Sequence, residues 1–314
     1  MKLALTSLFF VFSCAHVPEN LSQSFWQNAE NISRSIKYAD SVLKEKGSFD
    51  FQVELGKRIH LNTLGESVIA DFYNSNVNSP SPLVIFSHGN KSYKEAHKTQ
   101  AERFASWGYQ VVNVQFPNRK RWVKNGKILA SIVESLQVDY QKHGFKFDSN
   151  KIFVIGHSFG GSSAIIAASM QDKIKGLILL DPAVVHSTVL EKMPEVKIPV
   201  FLLGADQSRY KAKKRKQFYK RIGGNFLELS VLGATHNDAQ YPSMTQIFAF
   251  GMDPLVSSKF QENFLELSLV AALDLSLGKQ MGFARQFYGF ARKNKNMVKN
   301  IKWRNQNSKV KGRF

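Results

Sequence analysis

Lys151-Ile152-Phe153-Val154-Ile155 runs directly into Gly156-His157-Ser158-Phe159-Gly160-Gly161, and a helical pattern follows. A Gly-x-Ser-x-Gly sequence carries chemical meaning only in this setting of strand, sharp turn and helix. Gly156 and Gly160 remove side chains that would collide where the chain reverses, which leaves the Ser158 hydroxyl exposed on the tip of a strained turn. The helix that follows points its first amides toward the reacting carbon. The chemistry prescribed is nucleophilic attack by Ser158; a glycine-rich packing turn is the bland alternative.

A serine hydroxyl is a weak nucleophile at neutral pH, so it needs a histidine to take its proton and a carboxylate to hold that histidine. The order nucleophile, acid, histidine that accompanies this turn excludes the histidines before Ser158, and His186 and His236 remain. His236 sits in Gly233-Ala234-Thr235-His236-Asn237-Asp238, after the last β-rich run, whereas His186 follows the preceding acid too closely to reach back. Two aspartates satisfy the order. Asp181 ends the run Gly176 to Leu180, and Asp206 ends the next, both at the carboxyl edge where open α/β sheets bind ligands. The general form of the fold favours Asp206, and Asp181 could otherwise be a strand-end residue bonded to the next loop.

The elements that must position these groups are legible as short apolar runs alternating with helical patterns, the signature of a parallel sheet covered on both faces. The runs are Ser67 to Tyr73, Leu83 to Ser87, Tyr109 to Phe116, Lys151 to Ile155, Gly176 to Leu180, Val200 to Leu203 and Phe226 to Leu232. Helices are expected over Glu95 to Trp107, Ile128 to His143, Gly161 to Met170, Tyr210 to Ile222 and Ser257 to Leu277. The expected division is a signal over 1–14, a helical extension over 15–48, one α/β domain over 49–278, and a basic extension over 279–314. The stretch Pro182 to Pro199 is too short for a large cap domain, so a shallow, open pocket is expected.

From Phe86 to Met244 the sequence resembles the platelet-activating-factor acetylhydrolase group of the α/β-hydrolases, within the larger set that includes dienelactone hydrolases. The resemblance rests on Phe86-Ser87-His88-Gly89, the Gly156 to Gly161 motif, Leu180-Asp181, Ile198-Pro199-Val200-Phe201 and the Gly-x-x-His of Gly233 to His236. It implies a triad of Ser158, Asp181 and His236, with Asp206 as the alternative acid. It also implies an oxyanion hole made by the amides of Phe159 and Asn90, although relatives usually carry an apolar residue and then glycine where this chain has Asn90-Lys91. The implied activity is hydrolysis of carboxylic esters, short-acyl or phospholipid-like, without metal or organic cofactor. A thioesterase or peptidase on the same triad, or a non-catalytic envelope-binding protein, would be built from the same residues.

Charge and the chain start bear on where such an enzyme works. The 314 residues carry 43 Lys and Arg against 24 Asp and Glu, a formal net charge of +19. Eight of the basic residues fall in Arg209 to Arg221 and eleven in Lys279 to Phe314, neither of which holds an acid, so the remainder is balanced. The lysines of the first segment are expected to be solvated; either segment could also meet an anionic membrane surface, and nucleic acid is disfavoured by the export signal at the chain start. The first is expected as a helix with Tyr210 and Phe218 turned inward, and the second, with Phe283, Phe287 and Phe290, as an amphipathic helix or a disordered tail. Met1-Lys2, a short apolar stretch and Ser13-Cys14-Ala15 have the layout of an export signal, and Cys14 is placed for lipidation, so the protein is expected outside the cytoplasm.

Overall fold

The computed structural model describes residues 43–78, 80–118, 120–139, 145–208, 215–243, 256–277 and 283–305, and the backbone of 311–313. The export signal, Cys14 and most of the 15–48 extension lie outside the described residues. Residues 43–44 form a turn and 45–48 are irregular, with Leu43 buried against the domain.

The strands are β1 (Phe51–Leu61), β2 (Glu66–Ser75), β3 (Ser81–Ser87), β4 (Gln110–Gln115), β5 (Phe147–His157), β6 (Ile174–Leu180), β7 (Val200–Ala205), β8 (Phe226–Val231), β9 (Val298–Arg304) and β10 (Lys311–Arg313). They form one ten-stranded sheet in the order β1-β2-β4-β3-β5-β6-β7-β8-β9-β10. The six strands from β4 to β8 in that order run parallel, and antiparallel strands flank them on both sides. This is an α/β-hydrolase-type sheet, and all seven expected runs are strands in it.

The helices are α1 (Lys98–Ser106), α2 (Trp122–Asp139), α3 (Phe159–Ala168), α4 (Ser187–Lys192), α5 (Arg215–Arg221), α6 (Ser258–Leu277) and α7 (Arg285–Lys293). Side chains alternate across a strand, so each parallel strand feeds two cores. From β3, Val84 and Phe86 join Phe104 of α1 and the buried face of α6, while Leu83 and Ile85 join α2 and α3 on the other side. Near-continuous Val, Ile, Leu and Phe is the sequence consequence of burial on both faces.

Two regions differ from the sequence reading. β1 is an edge strand whose charged, mostly exposed residues hide its periodicity, and its register shifts between Glu54 and Lys57. The larger correction is at the other end. The expected boundary at 278 does not separate a tail: Phe287 and Phe290 of α7 are buried in the core, and β9 pairs antiparallel with β8, Val231 opposite Val298 and Leu227 opposite Trp303. The aromatic stripe faces protein because Phe201 of β7 offers it a ring, 5.2 Å from Phe283 and 5.0 Å from Phe287.

The other basic segment is helical from Arg215, while Tyr210 lies outside the described residues. Phe218 turns inward as expected. Arg215 does so too, with Nη1 donating to Ser230 Oγ at 3.2 Å and Nη2 to the Ala205 carbonyl at 3.3 Å.

Candidate active site

β5 ends at His157, and the chain reverses at Ser158 with φ 54° and ψ −120°, a conformation that costs a non-glycine residue about 1–3 kcal/mol. Surrounding hydrogen bonds hold it there. The Ser158 amide donates to the Leu180 carbonyl at 3.0 Å, and the Ser158 carbonyl accepts from Gly161 at 3.1 Å and from Ala183 at 3.0 Å. Leu180 and Ala183 bracket Asp181, so the two turns are stitched together on either side of it.

Gly156 and Gly160 leave no room for a side chain: a Cβ at 156 would meet the Gly160 carbonyl oxygen at 2.8 Å, and one at 160 would strike the carbonyls of Ser87 and His88. Ser158 itself is 4% exposed and does not stand on an open tip. The reason is Gly89, which crosses the turn so closely that a Cβ there would lie 2.9 Å from Ser158 Cβ.

His236 opens a 3₁₀ turn (His236–Ala239) fixed by a capping box, in which the Thr235 amide and hydroxyl donate to Asp238 Oδ2 at 2.6 and 2.8 Å. Its Nδ1 donates to Asp181 Oδ2 at 2.6 Å. Asp181 is fully buried, at φ 38°, and its Oδ1 accepts from the Ala205 amide at 3.0 Å. With the proton on Nδ1 fixed by the carboxylate, Nε2 is left with its lone pair, the tautomer a base requires.

Asp206, the alternative acid, is placed differently. Its Oδ2 receives Lys299 Nζ of β9 at 2.6 Å and the Gly233 amide at 3.3 Å, so it joins the sheet edge to the loop after β8. His186 caps α4 instead, with Nδ1 accepting from the Thr188 amide at 3.2 Å.

Of the oxyanion candidates, Phe159 is the first residue of α3, where an amide has no intrahelical acceptor. Asn90 follows a loop pinned by His88. That ring accepts from the Phe116 amide at Nε2 (3.1 Å) and therefore donates from Nδ1 to the Gly89 carbonyl (2.9 Å). In a trans peptide the N–H points opposite to the C=O, so holding the Gly89 oxygen on His88 turns the Asn90 N–H the other way.

His157 and His97 precede Ser158 and fall outside the order nucleophile, acid, histidine. His157 Nε2 donates to the main-chain carbonyl of His236 at 3.1 Å, with the two rings 4.7 Å apart, and His97 lies behind it at 6.0 Å. Burial pushes His97 down to about 4 and His157 well below the ordinary imidazole value, the latter also opposed by the charge on His236. Both are neutral near pH 7 and form an uncharged wall behind His236.

Residues 120–308 match the family described as "Platelet-activating factor acetylhydrolase, isoform II". A curated relative, "Platelet-activating factor acetylhydrolase" of Cavia porcellus, is 24% identical over 212 residues, covering 50% of this chain and 48% of its own. The chain thus spans about half the length of the curated relative it matches. Among the described residues, no helix is long and apolar enough to cross a membrane.

Proposed function

The chain belongs to the platelet-activating factor acetylhydrolase, isoform II family, and from that premise we propose that it is a serine-dependent carboxylic ester hydrolase acting on short-acyl or phospholipid-like esters. Ser158 Oγ attacks the ester carbonyl as His236 Nε2 accepts its proton, and Asp181 stabilises the resulting imidazolium. The amides of Phe159 and Asn90 receive the charge that develops on the carbonyl oxygen. His236 then protonates the departing alcohol, and water, activated by the same imidazole, releases the acyl group and restores the serine.

The observation that carries this reading is the 2.6 Å bond from His236 Nδ1 to a fully buried Asp181, beside a serine held in a strained turn. The preference for small acyl groups is supported by the connection from 182 to 199, which holds only the six-residue α4 and a short 3₁₀ turn. Export, with an acyl anchor on Cys14, is supported by the layout of the first residues.

Ser158→Ala is expected to lower kcat on nitrophenyl acetate by about 10⁴-fold or more. Wild-type turnover in that variant would overturn the mechanism. A graded acyl series, with kcat/KM falling from acetyl to decanoyl, tests the substrate range. The mass of the mature N-terminus tests the anchor: an unmodified Cys14 would remove it.

A further inference from the structure

The sheet edge beyond β8 carries two neighbouring cavities that the ester-cleaving groups do not line. The first, about 560 Å³, lies between α7 and β9, and its walls include Tyr288, Arg292, Lys295 and Lys299 over an apolar floor of Ala291 and Ile301. The second, about 250 Å³, is lined by Leu227, Phe283, Ala284, Arg285, Tyr288 and Trp303. Tyr288 belongs to both, so a single ring stands between them. The larger falls within the ~300–1,000 Å³ common for small-ligand sites, and the smaller lies just below that span.

Their chemistry is polarised along one line. Among the described residues, neither lining contains an acid. At the first cavity Lys299 is already matched by Asp206 at 2.6 Å, while Arg292 and Lys295 are exposed at its rim. The second cavity is walled by aromatic rings with one cation. The antiparallel register fixes the direction: Val298, at the basic end, faces Val231 at the carboxyl end of β8, and Trp303, at the aromatic end, faces Leu227. Five residues of strand separate them, about 17 Å. The buried residues of α7 are Gln286, Phe287, Phe290 and Ala291. The cations of its outer side are not required for packing.

We propose that this groove is a binding site for one anionic amphiphile. The anionic head rests on Arg292 and Lys295, and the alkyl chain passes Tyr288 into the slot between Phe283 and Trp303. A free anion would leave the apolar slot unused, and a neutral detergent would leave the cationic rim unused. The requirement for both parts distinguishes this site from a merely basic surface.

Dodecyl phosphate, below its micelle threshold, titrated calorimetrically into the full chain is expected to saturate at one equivalent. Butyl phosphate, inorganic phosphate and dodecyl maltoside are each expected to bind at least about tenfold more weakly. Arg292→Glu and Lys295→Glu reverse exposed charges and spare the core, and each is expected to weaken dodecyl phosphate about five- to tenfold. Absence of saturable binding, equal binding of any of the three control ligands, or affinity unchanged in both variants would overturn the proposal. The readout is binding alone, so the result is independent of whether Ser158 is the nucleophile.

Discussion

His236 is held from two sides, by Asp181 at its Nδ1 and by His157 at its main-chain carbonyl. Under the proposed mechanism the second bond makes His157 a positioning residue, because burial keeps its ring uncharged and its Nε2–H is committed to that carbonyl. His157→Gln keeps a donor near the Nε2 position and is expected to retain most of kcat. His157→Phe is expected to lose about 10- to 100-fold in kcat with KM little changed, as other supports of a reacting group do when removed. Equal losses in the two variants on nitrophenyl acetate would contradict the role. The choice of acid separates in the same assay. Asp181→Asn is expected to cost about 10⁴ in kcat through the wrong tautomer, whereas Asp206→Asn leaves kcat within a few-fold and lowers the melting temperature instead. The proposed nucleophile and base are legible in the sequence because strand, turn and order constrain them locally. The proposed acid is not, since Asp181 and Asp206 end adjacent strands at the same edge. What separates them is the backbone turn at Asp181, with φ 38°, and the arrival of Lys299 from 93 residues downstream of Asp206, and neither leaves a mark in the local pattern.

Among elements, those buried on both faces announced themselves, and those at the edges did not. β9 lies between β8 and β10, yet it carries Lys299, Lys302 and Arg304, charges that imitate a solvated tail when read as composition. The helix before it, α7, is anchored by a group equally hidden from the sequence. Asp274 of α6 is 5% exposed, and its Oδ2 accepts from the Phe287 amide at 2.7 Å, supplying an acceptor to the first turn of α7. Burial raises its carboxyl to about 7 despite that bond. The folded state therefore holds this proton more tightly than the unfolded chain, where an aspartate titrates near ~3.9. The stability this contributes is complete below about pH 4 and is lost as pH rises through about 7, because the unfolded state then binds fewer protons than the native one. Asp274→Asn is expected to remove that slope. Relative to wild type, the variant should gain on the order of a few kcal/mol between pH 4 and pH 8 in urea denaturation. Parallel stability curves for the two proteins would show that the carboxyl is ionised throughout.

The whole molecule depends on its last described elements. Phe287→Ala is expected to cost about 3–5 kcal/mol, by loss of a buried ring and the cavity left behind. That is a large part of the roughly 5–15 kcal/mol that holds a domain folded. Ending the chain after Leu277 removes much more than that ring. Phe201 loses both aromatic neighbours, and β8 becomes a bare edge. Asp206 loses Lys299, and the carboxyl of Asp274 loses the Phe287 amide. The last two losses each take a partner from a carboxyl, and Asp206 borders the loop that presents His236. The truncated chain is therefore expected to be recovered as aggregate, or to melt without a cooperative transition, and to show no turnover of nitrophenyl acetate. An appended tail would behave differently: its removal would leave the melting temperature and kcat of the full chain in place, and that result would return the domain boundary to residue 278.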